Sequence, residues 1–177
     1  LSNFLSNLRA PLVVVNQLLQ GQGGNAAQST GRFIVNSTIG LFGIIDVAEK
    51  IGLEEKEEDF GQTLATWGVG DGLYIVLPLF GPSNLRDTTG MLLTMATDPI
   101  NAYAVTEGEA WLVPTRTAAN AVDQRSKIID EVNALRNNSV DYYAAVRSSY
   151  YQNRKAAIAN VDDNELTPLP LISIEFE

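Results

Sequence analysis

The stretch Thr115-Arg-Thr-Ala-Ala-Asn-Ala-Val-Asp-Gln-Arg-Ser-Lys-Ile-Ile-Asp-Glu-Val-Asn-Ala-Leu135 sets Val122, Ile129, Val132 and Leu135 at helical spacing among charged residues. That is the pattern of an amphipathic helix. Asn137-Asn138 interrupts it, and Val140 to Ala159 reads as its hairpin partner, with Tyr142, Tyr143, Val146, Tyr150 and Tyr151 on or near one face. The tyrosine stripe is read as helix–helix packing in preference to a ligand surface. Toward the N-terminus the helical reading continues. Pro11 suits a first turn and is followed by Leu12, Val15, Leu18 and Leu19 up to a stop at Gly21. Asn25 is placed to cap a second helix through Phe33 and Ile34, and a third covers Phe42 to Lys50. Asp59 and Gln62 have the spacing of a capping box for a short helix ending near Trp67. Ser83 or Asn84 caps another helix through Met95, and one more reaches Trp111. Leu73-Tyr-Ile-Val-Leu-Pro78 has strand-like composition, but its proline and the lack of an evident partner favour an extended connector. The fold class is all-α, with one compact helical domain over residues 1–160 and an extended tail over 161–177.

Composition narrows the function. The 177 residues are 45% hydrophobic and only 19% charged, against roughly 25% in ordinary soluble domains. Net charge is −9 and the pI near 4.5, so the basic field that nucleic acid requires is missing, and attachment to anionic headgroups through a polybasic face is disfavoured. No histidine or cysteine occurs, which removes imidazole bases, thiolates, disulfides and the usual zinc or haem ligands. No catalytic, metal or cofactor site is assigned. Two nearly uncharged stretches, Phe33 to Ile45 and Gly72 to Leu85, are too short for the roughly 18 to 20 residues of a spanning helix and are broken by Gly, Pro or Asn. Leu1 to Leu8 has neither Met nor the charge pattern of a leader, and the chain is read as a mature or trimmed piece.

Motifs for chemistry are weak. Gly68-Val-Gly-Asp-Gly72 follows a helix instead of a strand and lacks the Gly-Lys-Ser/Thr of a phosphate loop. There is no Gly-x-Ser-x-Gly elbow. The run Glu54-Glu-Lys-Glu-Glu-Asp59 is read as a solvated loop. Arg86-Asp87 is either a helix-surface or capping pair or a functional one, since opposite charges among apolar residues are costly to bury unpaired. Phe33 to Gly40 and Tyr74 to Phe80 mix polar and apolar residues as a surface between lipid and water would, though a plain helical core fits their periodicity nearly as well.

Several stretches then occur in a recognisable order: Leu1-Ser-Asn-Phe-Leu-Ser-Asn-Leu8, Val15-Asn-Gln-Leu-Leu-Gln-Gly21, Gly31-Arg-Phe-Ile-Val-Asn-Ser-Thr-Ile-Gly40, Asp59-Phe-Gly-Gln-Thr-Leu64, Trp67-Gly-Val-Gly70, Leu77-Pro-Leu79 and Gly81-Pro-Ser-Asn-Leu-Arg-Asp87. Together they resemble the MlaA (VacJ) lipoproteins across roughly the first half of the chain, and Asp141-Tyr-Tyr-Ala-Ala-Val-Arg147 is similar to the family's final helix. The resemblance implies a ring- or arc-like helical protein with interfacial amphipathic helices, lying on the periplasmic side of the outer membrane. It also implies an N-terminal lipid anchor, although the lipobox cysteine is not in this chain. The implied partners are phospholipid, a trimeric porin and a periplasmic carrier protein. The implied activity is non-enzymatic passage of mislocalised phospholipid from the outer leaflet to that carrier. A mobile hairpin beside the channel is expected from near Gly81 into Met91 to Trp111, where the family pattern is followed least.

On this reading Phe33, Asn36, Phe42, Tyr74, Leu77, Phe80 and Leu92 are the lipid-pathway candidates. Gly81, Arg86 and Asp87 are the hinge or structural ones. The rival readings are a soluble periplasmic lipid-binding module and a porin-docking scaffold; a phospholipase ranks last.

Overall fold

The computed structural model describes residues 2–160, so the expected tail over 161–177 lies outside the described residues. The elements are α1 (Ser2–Leu19), α2 (Gly23–Thr38), α3 (Val47–Lys50), α4 (Phe60–Thr66), β1 (Tyr74–Leu77), β2 (Gly81–Asn84), α5 (Leu85–Thr97), α6 (Pro99–Thr106), α7 (Leu112–Lys127), α8 (Ile129–Asn138) and α9 (Tyr142–Ala159).

Helix α1 folds back on α2 through Gly21, whose φ of +77° suits the turn. Pro11 lies inside α1, not in its first turn. It cannot donate to the carbonyl of Asn7, but the flanking turns are held by contact with α2, including a 3.0 Å bond from Asn7 Nδ2 to Ser37 Oγ. Helix α2 begins at Gly23 without a side-chain cap; the Asn25 amide donates instead to Gln22 Oε1 at 2.7 Å. The third helix is only one turn long, because Leu41, Phe42 and Gly43 all adopt positive φ and cannot extend it. Asp46 caps that turn, accepting from Glu49 N at 3.0 Å.

The capping box forms as the spacing predicts: Gln62 N donates to Asp59 Oδ1 at 2.9 Å and Asp59 N to Gln62 Oε1 at 2.7 Å. Asn84 caps α5 through Asp87 N at 2.7 Å. Helices α4 and α5 meet backbone to backbone, since a Cβ on Gly90 would strike the Gly61 main chain.

Further sequence expectations are corrected. Leu73 to Pro78 is not a connector: β1 pairs antiparallel with β2, Tyr74 opposite Asn84 and Leu77 opposite Gly81. The partner was hidden because Gly81-Pro-Ser-Asn84 has little strand character, and Leu79 and Gly81 close the hairpin at φ 70° and 82°. The long helix from Thr115 is broken at Ile128 (φ −109°, ψ 10°) into α7 and α8. The tyrosine stripe packs largely on the hairpin: Tyr74 meets the rings of Tyr143 and Tyr150 edge-on at 5.8 and 5.9 Å, with Arg147 over Tyr74 at 5.6 Å, and the Tyr150 hydroxyl reaches Asp87 of α5. The stretch from Met91 to Trp111 contains the end of α5, all of α6 and a turn.

Burial is inverted relative to a water-soluble domain. Among the described residues the largest fully buried side chains are Gln17, Asn16, Asn84 and Thr63, while the buried apolar residues are Leu5, Leu12 and four alanines. Phe42, Leu73, Leu79 and Tyr103 are each at least two-thirds exposed. Buried polar groups and exposed apolar surface are the informative departures from the usual rule. Here both occur in one molecule.

Candidate functional site

A cavity of about 380 Å³ opens between α1, the acidic run before α4, the hairpin, α5, α7 and α9. Leu12, Val13, Leu77, Phe80, Met91 and Met95 give it apolar surface beside charged and amide groups. It is amphipathic, because the elements around it turn both apolar and polar side chains inward.

A chain of charges closes one wall. Arg154 on α9 donates from Nη1 and Nη2 to both oxygens of Asp59 at 2.7 and 2.6 Å. Its Nε lies 2.7 Å from Asp87 Oδ2. Arg86 Nε donates to Asp87 Oδ1 at 2.9 Å and its Nη1 to Asp71 Oδ1 at 2.5 Å. The Tyr150 hydroxyl donates to Asp87 Oδ2 at 2.5 Å. Four segments far apart in sequence are thereby tied together. Burial alone would raise the Asp59 carboxyl, but the Arg154 guanidinium and the N–H groups of α4 hold it below the ordinary carboxylate value. Burial, then the hydrogen bond to Asp87 and its charge, push the Tyr150 hydroxyl up, so it stays a donor. On the opposite wall Arg116 Nη1 donates to Asp98 Oδ2 at 2.5 Å.

A second, smaller cavity of about 40 Å³ lies between α1, α2 and Asp46. Asn36 Nδ2 donates to Asp46 Oδ1 at 3.0 Å, and Asn36 Oδ1 accepts from Val47 N and Ala48 N at 3.0 and 2.9 Å. Arg32 Nη2 donates to Asp46 Oδ2 at 2.7 Å and its Nη1 to the Leu53 carbonyl. Burial raises Asp46, but the N–H of Glu49, the Asn36 amide and Arg32 outweigh it and hold its carboxyl low.

The sequence candidates are thus dispersed. Leu77, Phe80 and Asp87 line the main cavity. Phe33 and Asn36 line the small one, where Asn36 latches the turn after α2. Tyr74 sits in the tyrosine cluster, Gly81 opens β2, and Arg86 stands behind Asp87. Phe42 and Leu92 border neither cavity and are 77% and 61% exposed. Arg154, Tyr150, Arg116 and Asp98 were not foreseen as site residues; Arg154 and Asp59 are 95 residues apart, and no local pattern marks such a pair. The acidic run is only partly solvated, for Glu58 is 7% exposed. Among the described residues no group of acidic side chains is arranged to hold a metal ion, and no helix is long and apolar enough to cross a membrane.

A family model described as MlaA lipoprotein matches residues 1–157. The chain belongs to the MlaA lipoprotein family. An intermembrane phospholipid transport system lipoprotein MlaA of Escherichia coli is 36% identical over 172 residues, covering 95% of this chain and 64% of that protein. The MlaA of Haemophilus influenzae, with the same description, is 32% identical over 157 residues. An uncharacterized protein of Rickettsia prowazekii is 35% identical over 158 residues, covering 89% of this chain and 61% of its own length. The chain therefore spans about three-fifths of the length of such MlaA relatives. A solved structure described as the structural basis for maintenance of bacterial outer membrane lipid asymmetry superposes with a TM-score of 0.74 at 32% identity, covering 89% of this chain and 77% of that one. The helical MlaA fold is common to both.

Proposed function

We propose that this chain is the lipid-handling core of a phospholipid conduit in the outer membrane, which takes mislocalised phospholipid from the outer leaflet and passes it to a periplasmic carrier. The observation that carries this reading is the inverted burial: a polar and charged interior around a cavity of about 380 Å³, inside a shell that exposes large apolar residues. Such a shell is at ease where helices lie in the lipid interface. A polar lining lowers the cost of moving a charged headgroup past hydrocarbon, while Leu77, Phe80, Met91 and Met95 keep contact with acyl chains. Phe42, Leu79 and Leu92 face outward and suit contact with the bilayer or with a porin. The relatives named for intermembrane phospholipid transport support the same assignment.

The work is non-enzymatic on this reading, and direction is imposed by downstream machinery. In the full-length protein we place the core on the periplasmic side of the outer membrane, lipid-anchored and docked to a trimeric porin. The test is outer-leaflet phospholipid exposure in cells lacking the gene, complemented with full-length protein carrying photocrosslinkers at Leu77 or Phe80. Deletion is expected to raise exposure, and both positions are expected to capture phospholipid. Unchanged exposure on deletion, or crosslinkers that never capture lipid, would overturn the assignment.

A further inference from the structure

The charges lining the main cavity do not cancel. Six carboxylates and three guanidiniums line it, and each guanidinium is matched within the protein. Arg154 is held by Asp59 and Asp87, Arg116 by Asp98, and Arg9 lies 3.3 Å from Glu57. Two carboxylates remain. Glu55 stands at the rim with its side chain 44% exposed, 3.9 Å from Arg32. Glu58 is different: it is 7% exposed, it lines the cavity, and no cation comes within ion-pair distance among the described residues. Its hydrogen-bond partners are neutral amides, while the charges of Asp59 and Arg154 act on it in opposite senses without making an ion pair. Gln20 Nε2 donates to Glu58 Oε2 at 2.8 Å, and Gln22, whose Nε2 donates to Gln20 Oε1 at 2.9 Å, adds a second neutral amide beside it.

A buried carboxylate without a counter-ion is costly, and the protein supplies only amide donors to offset it. The missing partner is a cation that donates hydrogen bonds and enters through the cavity. We infer that Glu58 is the headgroup selector of the conduit, accepting the primary ammonium of a zwitterionic aminophospholipid and disfavouring anionic headgroups that lack such a group. This rests on the conduit reading and names its preferred substrate. With each lining guanidinium already paired, the phosphodiester that all these lipids share finds no free cation there, and the discrimination falls on the ammonium, which only a zwitterionic headgroup brings to offset the excess of carboxylates. Burial raises the Glu58 carboxyl by penalising its charged form, a penalty that an ammonium seated beside it would relieve. A quaternary ammonium carries the charge but no N–H, so choline headgroups are accepted less well than ethanolamine.

The experiment uses the purified full-length protein in vesicles of equimolar phosphatidylethanolamine, phosphatidylcholine and phosphatidylglycerol, followed by re-isolation and mass spectrometry of retained lipid. The wild type is expected to enrich the ethanolamine lipid about fivefold over the glycerol lipid, the scale of one charge-assisted hydrogen bond in a partly hydrated site. Glu58→Gln keeps the volume and can still accept from Gln20; it is expected to retain a similar amount of lipid at the input ratio. Glu55→Gln, at the rim, is expected to keep the wild-type preference. Retention by the wild type in the input ratio overturns the selector, whether or not the Glu58 variant folds. Equal enrichment of choline and ethanolamine lipids overturns the hydrogen-bonded seat, and an unchanged preference in Glu58→Gln overturns the role of that residue. A wild type that retains no phospholipid sinks the conduit reading itself.

Discussion

Arg154 binds two carboxylates at once, and its planar fork is why an arginine stands there. Replacing it with Met leaves Asp87, whose side chain is 10% exposed, with Arg86, Tyr150 and the Asn84 amide as partners, and frees Asp59, whose side chain is 48% exposed. Breaking a fully buried pair costs roughly 3–5 kcal/mol. With Asp59 half in solvent, Arg154→Met is expected to cost about 2–3 kcal/mol, read by denaturant unfolding. Arg154→Lys is expected to recover only part of it, because a point charge cannot satisfy Asp59 in bidentate fashion. Recovery to wild-type stability would show that charge alone suffices. The same contact sets an acid limb. The folded Asp59 carboxyl titrates below its ordinary 3.8, so its stabilisation is complete above that pH and is lost as pH falls through the lowered folded value. Unfolding curves between about pH 5 and 2 are expected to show this limb in the wild type and a shallower one in Arg154→Met.

At the scale of elements, α4 and α5 pack at a distance that only glycine permits. A methyl group on Gly90 meets the backbone of Gly61 and Phe60, and backbone cannot turn aside as a side chain can. Gly90→Ala is expected to push the helices apart at a cost of about 2–3 kcal/mol, near the upper end of overpacking penalties. Because Asp59 caps α4 and Asp87 lies in the first turn of α5, the shift is also expected to loosen Arg154. A melting temperature equal to the wild type's would contradict the close packing. The hairpin behaves differently. Leu79 at its tip is 80% exposed and touches no core. Leu79→Asp is expected to leave unfolding unchanged while weakening vesicle association by about tenfold, from loss of one leucine's apolar transfer. Flotation of protein with vesicles measures it, and equal flotation would place the tip away from lipid.

For the whole molecule, inverted burial predicts where its two tryptophans lie. Trp67 and Trp111 are 59% and 61% exposed, and Trp67 Nε1 donates to the Leu19 carbonyl at 3.1 Å, leaving its ring free to meet lipid. Tryptophan with one wet end and one apolar end suits a membrane interface. Brominated acyl chains are expected to quench most of the emission in vesicles, and quenching by aqueous iodide alone would mean the apolar shell faces water or protein.

How much of this was legible beforehand follows from the range of each interaction. The capping box at Asp59 and Gln62, a cap at Ser83 or Asn84 that the structure gives to Asn84, and the helical period of most of the chain are contacts between residues three or four apart, so they are written in the sequence and appear in the structure. The absence of histidine and cysteine and the ordered family motifs likewise need no coordinates. Periodicity, however, marks two faces of a helix without saying which one points inward. In α7 the apolar Val122 is 70% exposed while Arg116 turns toward Asp98 and the cavity. The hairpin, the burial of Glu58 within an acidic run and the bridge from Arg154 across 95 residues to Asp59 were decided by the tertiary structure alone. Each depends on segments brought together by folding, and a charge becomes expensive, and therefore informative, only once its surroundings have excluded water.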